Sequence, residues 1–380
     1  MNIKRVAVLV LVGLVIGGGV FAAILFFTPV PEKTPPYQDP TTIVQDLPAL
    51  RPVPSQLLEA KAPARPQPVA FFDAANPAVS ELRRLANGAA VSDLEFTPDG
   101  RWLVTLDYGD MRVRVWDWRA GTLHAESGHP WRLDTLAMAP DGSGFWTGDA
   151  YEHLFWWPLN AEGRLGTPLE VGKELGHVMH VAASPNGRLI ATSSYSQVLT
   201  VWDAATRSEL ARVQTPEPQR ACAFSPDSRR LVVGTNTRLL YEYDLATGKG
   251  RKIEIPLVQP DTELMDLTFS DDGKRFSTGH TQPWATVWHT QGMEYRHFME
   301  CPLQAVTAVA WTRDSAWLVF ALGQNDLYIW DPDNRSEQGR KLVLRGHQKS
   351  VRSLAFSPDG AVLASGDEGG NLLLWSKPAK

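Results

Sequence analysis

Short runs in which apolar and polar residues alternate recur through the last three hundred residues of the chain. In the final complete example, an alternating run from Val351 to Phe356 precedes the turn sequence Ser357-Pro358-Asp359-Gly360. A second apolar run, Ala361 to Ala364, passes through a Gly-rich turn into a third run, Leu372 to Trp375. Alternation with a period of two predicts strands, and Pro, Asp and Gly favour tight turns. The stretch therefore predicts three antiparallel strands, with a fourth to follow.

This unit is repeated seven times, and two sets of residues mark the repeats in phase. The aromatic at the end of the third strand recurs at spacings of 41, 45, 41, 45, 42 and 45, at Trp116, Trp157, Trp202, Tyr243, Trp288, Trp330 and Trp375. The turn after the first strand keeps step, at Pro98, Pro140, Pro185, Pro226, Asp271, Arg313 and Pro358. A period of 40 to 45 residues with four short strands indicates a propeller blade.

Two dipeptides in these repeats resemble the signature of the WD-repeat β-propeller family. They are Trp-Asp at 116–117, 202–203 and 330–331, and Gly-His at 128–129, 176–177 and 346–347. The resemblance covers residues 79–380 and implies an all-β, seven-bladed propeller that binds partners without a reaction of its own. It also implies a hydrogen-bonded set of His, Ser or Thr, Asp and Trp within a blade.

That family set predicts structural roles for ten residues. They are His129, His177, His347, Asp110, Trp116, Trp157, Trp202, Trp288, Trp330 and Trp375. With the Asp position placed six residues before the Trp, only Asp110 fills it, so no blade is expected to contain both His and Asp. Gly279-His280 imitates the family dipeptide but is expected in a loop.

The ring needs a closing strand, because the last repeat ends after its third strand and an open edge invites aggregation. Residues 79–85, which precede the first repeat, are expected to supply the outer strand of the last blade. Their partner is the blade formed by residues 344–376.

The N-terminal residues predict a membrane anchor. Residues 6–27 carry no charge and are long enough to cross a bilayer as a helix, whereas residues 1–5 contain Lys4 and Arg5. The positive-inside rule places residues 1–5 in the cytoplasm and the propeller outside it, in the periplasm if the source is bacterial. Cleavage as a signal peptide is the alternative. The spacing of Gly13 and Gly17 suits a homodimer, although glycine is also simply frequent in membrane helices.

The segment between anchor and propeller, residues 28–78, is rich in proline, with eleven prolines between residues 28 and 70. Such a composition predicts an extended spacer, and a ligand for a proline-binding domain is the less common alternative.

Composition and motifs argue against several function classes. The net charge of −5 gives no basic stripe for nucleic acid. No zinc, phosphate-loop or nucleophile-elbow motif occurs, so we expect no enzyme, metal or cofactor. The two cysteines, Cys222 and Cys301, fall in different blades, and a disulfide between them is not expected.

The turns between second and third strands are expected to form a binding face around the channel mouth. Aromatic and acidic side chains there suit a basic or mixed protein surface, although Asp is also an ordinary turn residue. The candidates are Asp107, Asp149, Tyr151, Glu152, Tyr195, Trp284, Asp326, Asp367 and Glu368, with the loops at 131–132 and 348–349 as further ones.

We therefore expect a membrane-anchored, extracytoplasmic scaffold that mediates protein–protein interaction. The alternative is a catalytic or small-ligand-binding propeller with its site in the central channel, which a convergent set of titratable groups there would favour. A third possibility is a purely structural element of an envelope complex.

Overall fold

A computed structural model of the chain describes residues 46–73, 78–173, 176–255, 262–300, 304–323, 325–333 and 340–378. Within these ranges, twenty-eight strands form seven four-stranded antiparallel sheets, each a blade of one ring. The predicted all-β, seven-bladed propeller is confirmed. The predicted membrane helix, residues 6–27, and the Gly13 and Gly17 contact lie outside the described residues. Across the ranges given above, we find no helix of the length and apolar character needed to cross a membrane.

Strands run from the channel outward in chain order within blades one to six, and the first three strands of blade seven do the same. Blades one to three contain β2 (Val91–Phe96), β3 (Leu103–Asp107), β4 (Arg112–Asp117) and β5 (Thr122–Gly128); β6 (Leu133–Met138), β7 (Gly144–Asp149), β8 (His153–Pro158) and β9 (Leu169–Lys173); β10 (Val178–Ala183), β11 (Leu189–Ser194), β12 (Val198–Asp203) and β13 (Glu209–Gln214).

Blades four to seven repeat the same order. They contain β14 (Gln219–Phe224), β15 (Arg230–Thr235), β16 (Leu239–Asp244) and β17 (Gly250–Glu254); β18 (Leu264–Phe269), β19 (Arg275–His280), β20 (Trp284–His289) and β21 (Glu294–Glu300); β22 (Val306–Trp311), β23 (Leu318–Leu322), β24 (Leu327–Trp330) and β25 (Arg340–Leu344); β26 (Val351–Phe356), β27 (Val362–Asp367) and β28 (Asn371–Ser376).

The fourth strand of blade seven comes from the start of the propeller. Strand β1 (Ser80–Ala86) pairs antiparallel with β28, with Ser80 opposite Ser376 and Ala86 opposite Asn371. Blade seven therefore joins the two ends of the repeat region, and its inner strand β26 contacts β2 of blade one. The pairing leaves β28 with hydrogen-bonded neighbours on both edges.

The repeated aromatic of the third strand packs inside each blade. All seven side chains at these positions are buried, at Trp116, Trp157, Trp202, Tyr243, Trp288, Trp330 and Trp375. In five blades the indole N–H donates to a threonine or serine hydroxyl, as Trp157 does to Thr147 at 3.0 Å and Trp202 to Thr192 at 3.1 Å. Burial of a large ring with its one polar group satisfied favours this position for Trp.

Residues 46–73, which we call the strap, correct the expectation of a free spacer. Leu47, Leu50 and Val53 are buried against blades three and four, and their amides donate to the carbonyls of Gly250, Gly248 and Leu245 at 3.3, 2.9 and 2.8 Å. Spacing of three residues is that of a polyproline helix, which presents every third side chain to one side. The prolines therefore shape a docked segment here.

The strap crosses one face of the ring. Beyond the short helix α1 (Ser55–Leu58), the side-chain amide of Asn186 in blade three donates to the Leu57 carbonyl at 2.8 Å. At the far end, Phe71 and Phe72 are buried between blades six and seven. Between these two anchored ends, residues 62–66 and Pro68 line the channel opening. The strap thus covers the end of the channel where the first strands finish.

Candidate functional site

The opposite end of the channel, which we call the mouth, carries the turns between second and third strands and the loops that enter first strands. The structure separates the predicted binding residues on this face into two groups. Asp107, Asp149 and Asp367 end second strands and are at most 1 % exposed. They lie inside the protein, so the expectation that they bind a partner is wrong.

Asp367 belongs to a complete hydrogen-bonded set within blade seven. The His347 ring contacts the Asp367 carboxylate through Nδ1 at 2.9 Å and the Ser365 hydroxyl through Nε2 at 2.6 Å. The Trp375 indole N–H donates to the same hydroxyl at 2.8 Å. Hydrogen bonds from His347 and from Asn371 lower the pKa of Asp367 to about 2. The prediction that no blade contains both His and Asp is wrong.

The error arose from the position assigned to the Asp. Asp367 lies eight residues before Trp375 and ends the second strand of blade seven. Asp107 lies nine residues before Trp116 and likewise ends the second strand of blade one. Asp110 lies instead in the following turn, where it pairs with Arg114, so its predicted role in the set is wrong. In blade one Asn87 replaces the histidine and donates to the Asp107 carboxylate.

Histidines elsewhere depart from the family set. His129 Nδ1 contacts the Trp131 carbonyl at 3.1 Å. In this blade His153, not His129, is hydrogen-bonded to the Asp149 carboxylate, through Nδ1 at 2.9 Å. His177 reaches Asp134 of the preceding blade at 2.5 Å. His280 ends strand β19 and is fully buried, so the expectation of a loop is wrong there.

The exposed part of the mouth is aromatic over blades one to three. Tyr108, Tyr151 and Tyr195 occupy the second-to-third turns of these three blades and are 50, 58 and 47 % exposed. Met111, in the same turn as Tyr108, is 42 % exposed. Tyr108 and Met111 are absent from our sequence candidates, although the recurrence of Tyr one or two residues after the second strand in three successive repeats was a usable signal.

Arginines flank two of these tyrosines. The Arg132 guanidinium lies 4.6 Å from the centre of the Tyr108 ring, and that of Arg220 lies 5.8 Å from the centre of the Tyr195 ring. Arg132 also pairs with Asp134, and Arg220 with Glu263. Such pairs hold the rings in place while leaving one aromatic face to solvent.

Other predicted mouth residues differ in surroundings. Glu368 is exposed and pairs with Arg352. Asp326 lies 3.7 Å from Arg345, Glu152 is half-buried with a φ of 81°, and Trp284 is half-buried and makes contacts of its own. Since each acid that pairs is already partly neutralised, the mouth is mixed in charge and not acidic.

The channel forms a cavity of about 1400 Å³ lined by the first strands of all seven blades. Each first strand has a bulge near its start. At four blade junctions, the side chain at the bulge accepts a hydrogen bond from a backbone N–H of the next blade. We call this hydrogen bond an amide link. The links are Asp93 to Leu136 at 2.8 Å, Thr135 to Val181 at 3.1 Å, Asp266 to Val309 at 2.8 Å and Ser353 to Leu94 at 3.3 Å.

Several titratable groups line the channel, as the alternative function requires. Desolvation raises the pKa of Asp93 to about 6 and that of Glu95 to about 8, and it lowers the pKa of His180 to about 4. Their bonds are structural, because Asp93 forms an amide link and Glu95 accepts the Met138 amide at 2.9 Å. In the described part of the chain, no group of three or more His, Cys, Asp or Glu is placed to hold a metal ion.

Cys222 also faces this cavity, is fully buried, and lies 3.8 Å from His180 Nδ1. Desolvation raises the pKa of its thiol to about 12, which disfavours the reactive thiolate. Cys301 lies outside the described residues.

Comparisons with known proteins agree with this architecture. The profile of the WD domain, G-beta repeat, matches residues 80–117, 169–203 and 339–376. An uncharacterized WD repeat-containing protein of Deinococcus radiodurans is 32% identical over 193 residues, which cover 43% of this chain and 72% of that protein. The guanine nucleotide-binding protein subunit beta of Oryza sativa subsp. japonica is 25% identical over 312 residues, covering 75% of this chain and 80% of the relative.

Human pre-mRNA-processing factor 17 is 23% identical over 214 residues, or 53% of this chain. The match spans about a third of that relative, 36% of its length. Each profile match begins at the outer strand of one blade and ends with the third strand of the next, as residues 80–117 do from β1 to β4.

Proposed function

The chain belongs to the WD-repeat family, and from this premise we propose that it is a protein–protein interaction scaffold that binds its partner at the mouth over blades one to three. The observation that carries the proposal is the row of exposed tyrosines at 108, 151 and 195 in equivalent turns of successive blades. Aromatic rings supply large contact area at low entropic cost, and flanking charges guide the approach of a partner.

The charge at this surface supports a protein partner of mixed polarity. Arg132 and Arg220 each have a carboxylate neighbour, Asp134 and Glu263, so neither sign dominates. A polyanion such as nucleic acid gains its affinity from many unneutralised cations, which this surface does not offer. A protein surface with its own aromatic and paired polar groups is the better match.

Proximity labelling from the full-length protein tests the proposal. A variant with Tyr108→Ser, Tyr151→Ser and Tyr195→Ser is expected to lose its main labelled neighbours, while its melting temperature stays within a few degrees of the parent. The matched control is Leu123→Ser with Leu169→Ser, because both leucines are exposed but lie on outer strands. Identical neighbour lists for all three proteins would count against the mouth as the binding surface.

We also propose that residues 6–27 anchor the protein in a membrane with the propeller outside the cytoplasm. The uncharged length of this segment and the preceding Lys4 and Arg5 support the proposal. Resistance of the full chain to extraction with alkaline carbonate, together with protease access to the propeller in intact cells or spheroplasts, is the expected result. Release by carbonate, or protection of the propeller, would contradict it.

A further inference from the structure

A second concave site lies on the strap side of the ring, at the junction of blades seven and one. It is a groove of about 390 Å³ between the end of the strap, strand β1 and the turns beside them. Val69 of the strap and Leu82 of β1 line it and are 55 and 52 % exposed, and the Trp118 ring forms part of its wall. Leu82 stands at a bulge in the β1 to β28 pairing, which turns its side chain out of the ladder.

The same groove carries three cations. Arg83, Arg119 and Lys377 line it and are exposed, and no acidic residue lines it among those the structure describes. Arg83 donates to the Ala120 carbonyl at 3.1 Å, and Arg119 donates to the Gly100 carbonyl at 2.6 Å. These bonds fix the two guanidinium groups without neutralising them.

Over the ranges that the structure describes, the three groove cations differ from the arginines at the mouth in having no acidic partner. The chain has a net charge of −5, and the arginines at the mouth are paired with carboxylates. The nearest acid on β1, Glu81, already pairs with Arg84 at 2.9 Å. Within the described ranges, no ion pair forms on any of the three groove cations, so each keeps its full charge for a ligand.

We propose that this groove, defined by Val69, Leu82, Arg83, Trp118, Arg119 and Lys377, binds a short peptide segment of a partner protein that carries an apolar side chain flanked by carboxylates. The apolar side chain contacts Val69, Leu82 and the Trp118 wall, and the carboxylates meet the fixed guanidinium groups. Arginine forks bind carboxylates with two parallel hydrogen bonds, which fixes the orientation of the bound chain.

The shape of the site favours a peptide over a membrane surface. A groove enclosed on several sides by a strap residue, a strand and two turns accepts a protruding side chain, whereas a bilayer presents a flat surface to it. The exposed outer edge of β1 lies beside the groove, and its free backbone groups are available to an extended segment. The site lies on the opposite face from the mouth, so it serves a second partner or a second segment of the first.

Fluorescence anisotropy with defined peptides tests the proposal on the full chain in detergent. The probe is a labelled dodecapeptide in which Leu and Phe alternate with Asp and Glu, and the comparison peptide replaces each acid with Lys. We expect the acidic peptide to bind at least tenfold tighter than the basic one, with affinity falling as salt is raised. Leu82→Ser with Arg119→Glu and Lys377→Glu is expected to weaken binding more than tenfold.

The matched control is Leu169→Ser with Arg207→Glu. Arg207 lies 5.3 Å from the centre of the Trp156 ring, much as Arg119 lies 4.1 Å from that of Trp118, but it does not line the groove. Thermal melting of each variant shows whether the fold is kept, and the single change Leu82→Ser, at an exposed position, serves if the triple variant does not fold. Equal binding of acidic and basic peptides, no binding, or equal loss in the control overturns the proposal.

Binding to vesicles of anionic phosphatidylglycerol is a separate test. Groove-dependent binding to these vesicles without peptide binding assigns the site to lipid and also overturns the proposal.

Discussion

The hydroxyl of Ser353 donates to the carboxylate of Asp93 at 2.7 Å across the junction between the last blade and the first. The same hydroxyl accepts the Leu94 amide at 3.3 Å, and the other carboxylate oxygen accepts the Leu136 amide of blade two at 2.8 Å. One side chain therefore connects three consecutive blades around the channel. The bond between Ser353 and Asp93 joins residues 260 positions apart in sequence, at the junction where the two ends of the repeat region meet.

Asp93→Ala is expected to lower the free energy of unfolding by about 2–4 kcal/mol, because the Leu136 amide and the Ser353 hydroxyl both lose their acceptor. Ser353→Ala is expected to cost about 1 kcal/mol. Urea denaturation of both single variants and of the double variant measures their coupling. If the two effects are simply additive, the bond across the junction contributes nothing of its own.

Stability is expected to depend on pH through Glu95. Desolvation raises its pKa from 4.5 to about 8, so between pH 8.5 and 6.5 the folded state binds a proton that the unfolded state does not. Stability from this group therefore increases as the pH falls through this range, by about 2 kcal/mol. Below pH 6.5 the buried His180 and His280 oppose the trend, because burial lowers their pKa values and the unfolded chain takes up those protons.

Glu95→Gln isolates the effect, since the amide oxygen still accepts the Met138 amide without titrating. Urea denaturation of this variant at pH 8.5 and pH 6.5 is expected to show about 2 kcal/mol less change than the parent. A variant that follows the parent curve would mean that Glu95 is ionised throughout the range.

Substitution of Asp367 is expected to lower stability far more than substitution of Asp110. Asp367 has no exposed side-chain surface and holds His347, so Asp367→Ala is expected to cost about 3–5 kcal/mol. The Asp110 side chain lies in a turn and is 35% exposed, so Asp110→Ala is expected to lower stability by less than about 1 kcal/mol. Thermal denaturation ranks them, and the reverse order would restore the original assignment.

Substitutions in the strap are expected to destabilise the propeller. Leu50→Ala removes a side chain that is 2 % exposed, and the expected cost is about 2–4 kcal/mol. Arg65→Ala, in the exposed part that crosses the channel, is the control and is expected to change stability by less than about 1 kcal/mol. A free spacer would give no effect in either case, and calorimetry distinguishes the two situations.

The fold was predictable because two marker positions recur with the same period through seven repeats. The Trp position and the turn position are both local in sequence, and each has a clear physical cause in strand packing and turn geometry. The spacing from the Trp places the family Asp in the turn before the third strand, whereas Asp367 lies where the second strand ends. The hydrogen-bonded set of blade seven was therefore not predicted.

The strap and the channel bonds were harder to infer. Proline content hid the regular spacing of Leu47, Leu50 and Val53, and the adjacent pair Phe71 and Phe72 was the remaining sequence signal. An amide link joins a side chain to the backbone of another blade, so its partner carries no signature in sequence. The groove at the blade junction combines residues from four separate segments, which only the closed ring brings together.

Because the strap is docked on the ring, less undocked chain separates the propeller from residues 6–27. If residues 6–27 span a membrane, only residues 28–45 remain between the bilayer and the first docked residues at the rim of blade four. Fully extended, this segment reaches about 60 Å, less than half of what the whole proline-rich region would allow. In that case the place where Leu47 docks would limit the distance between the propeller and the lipid.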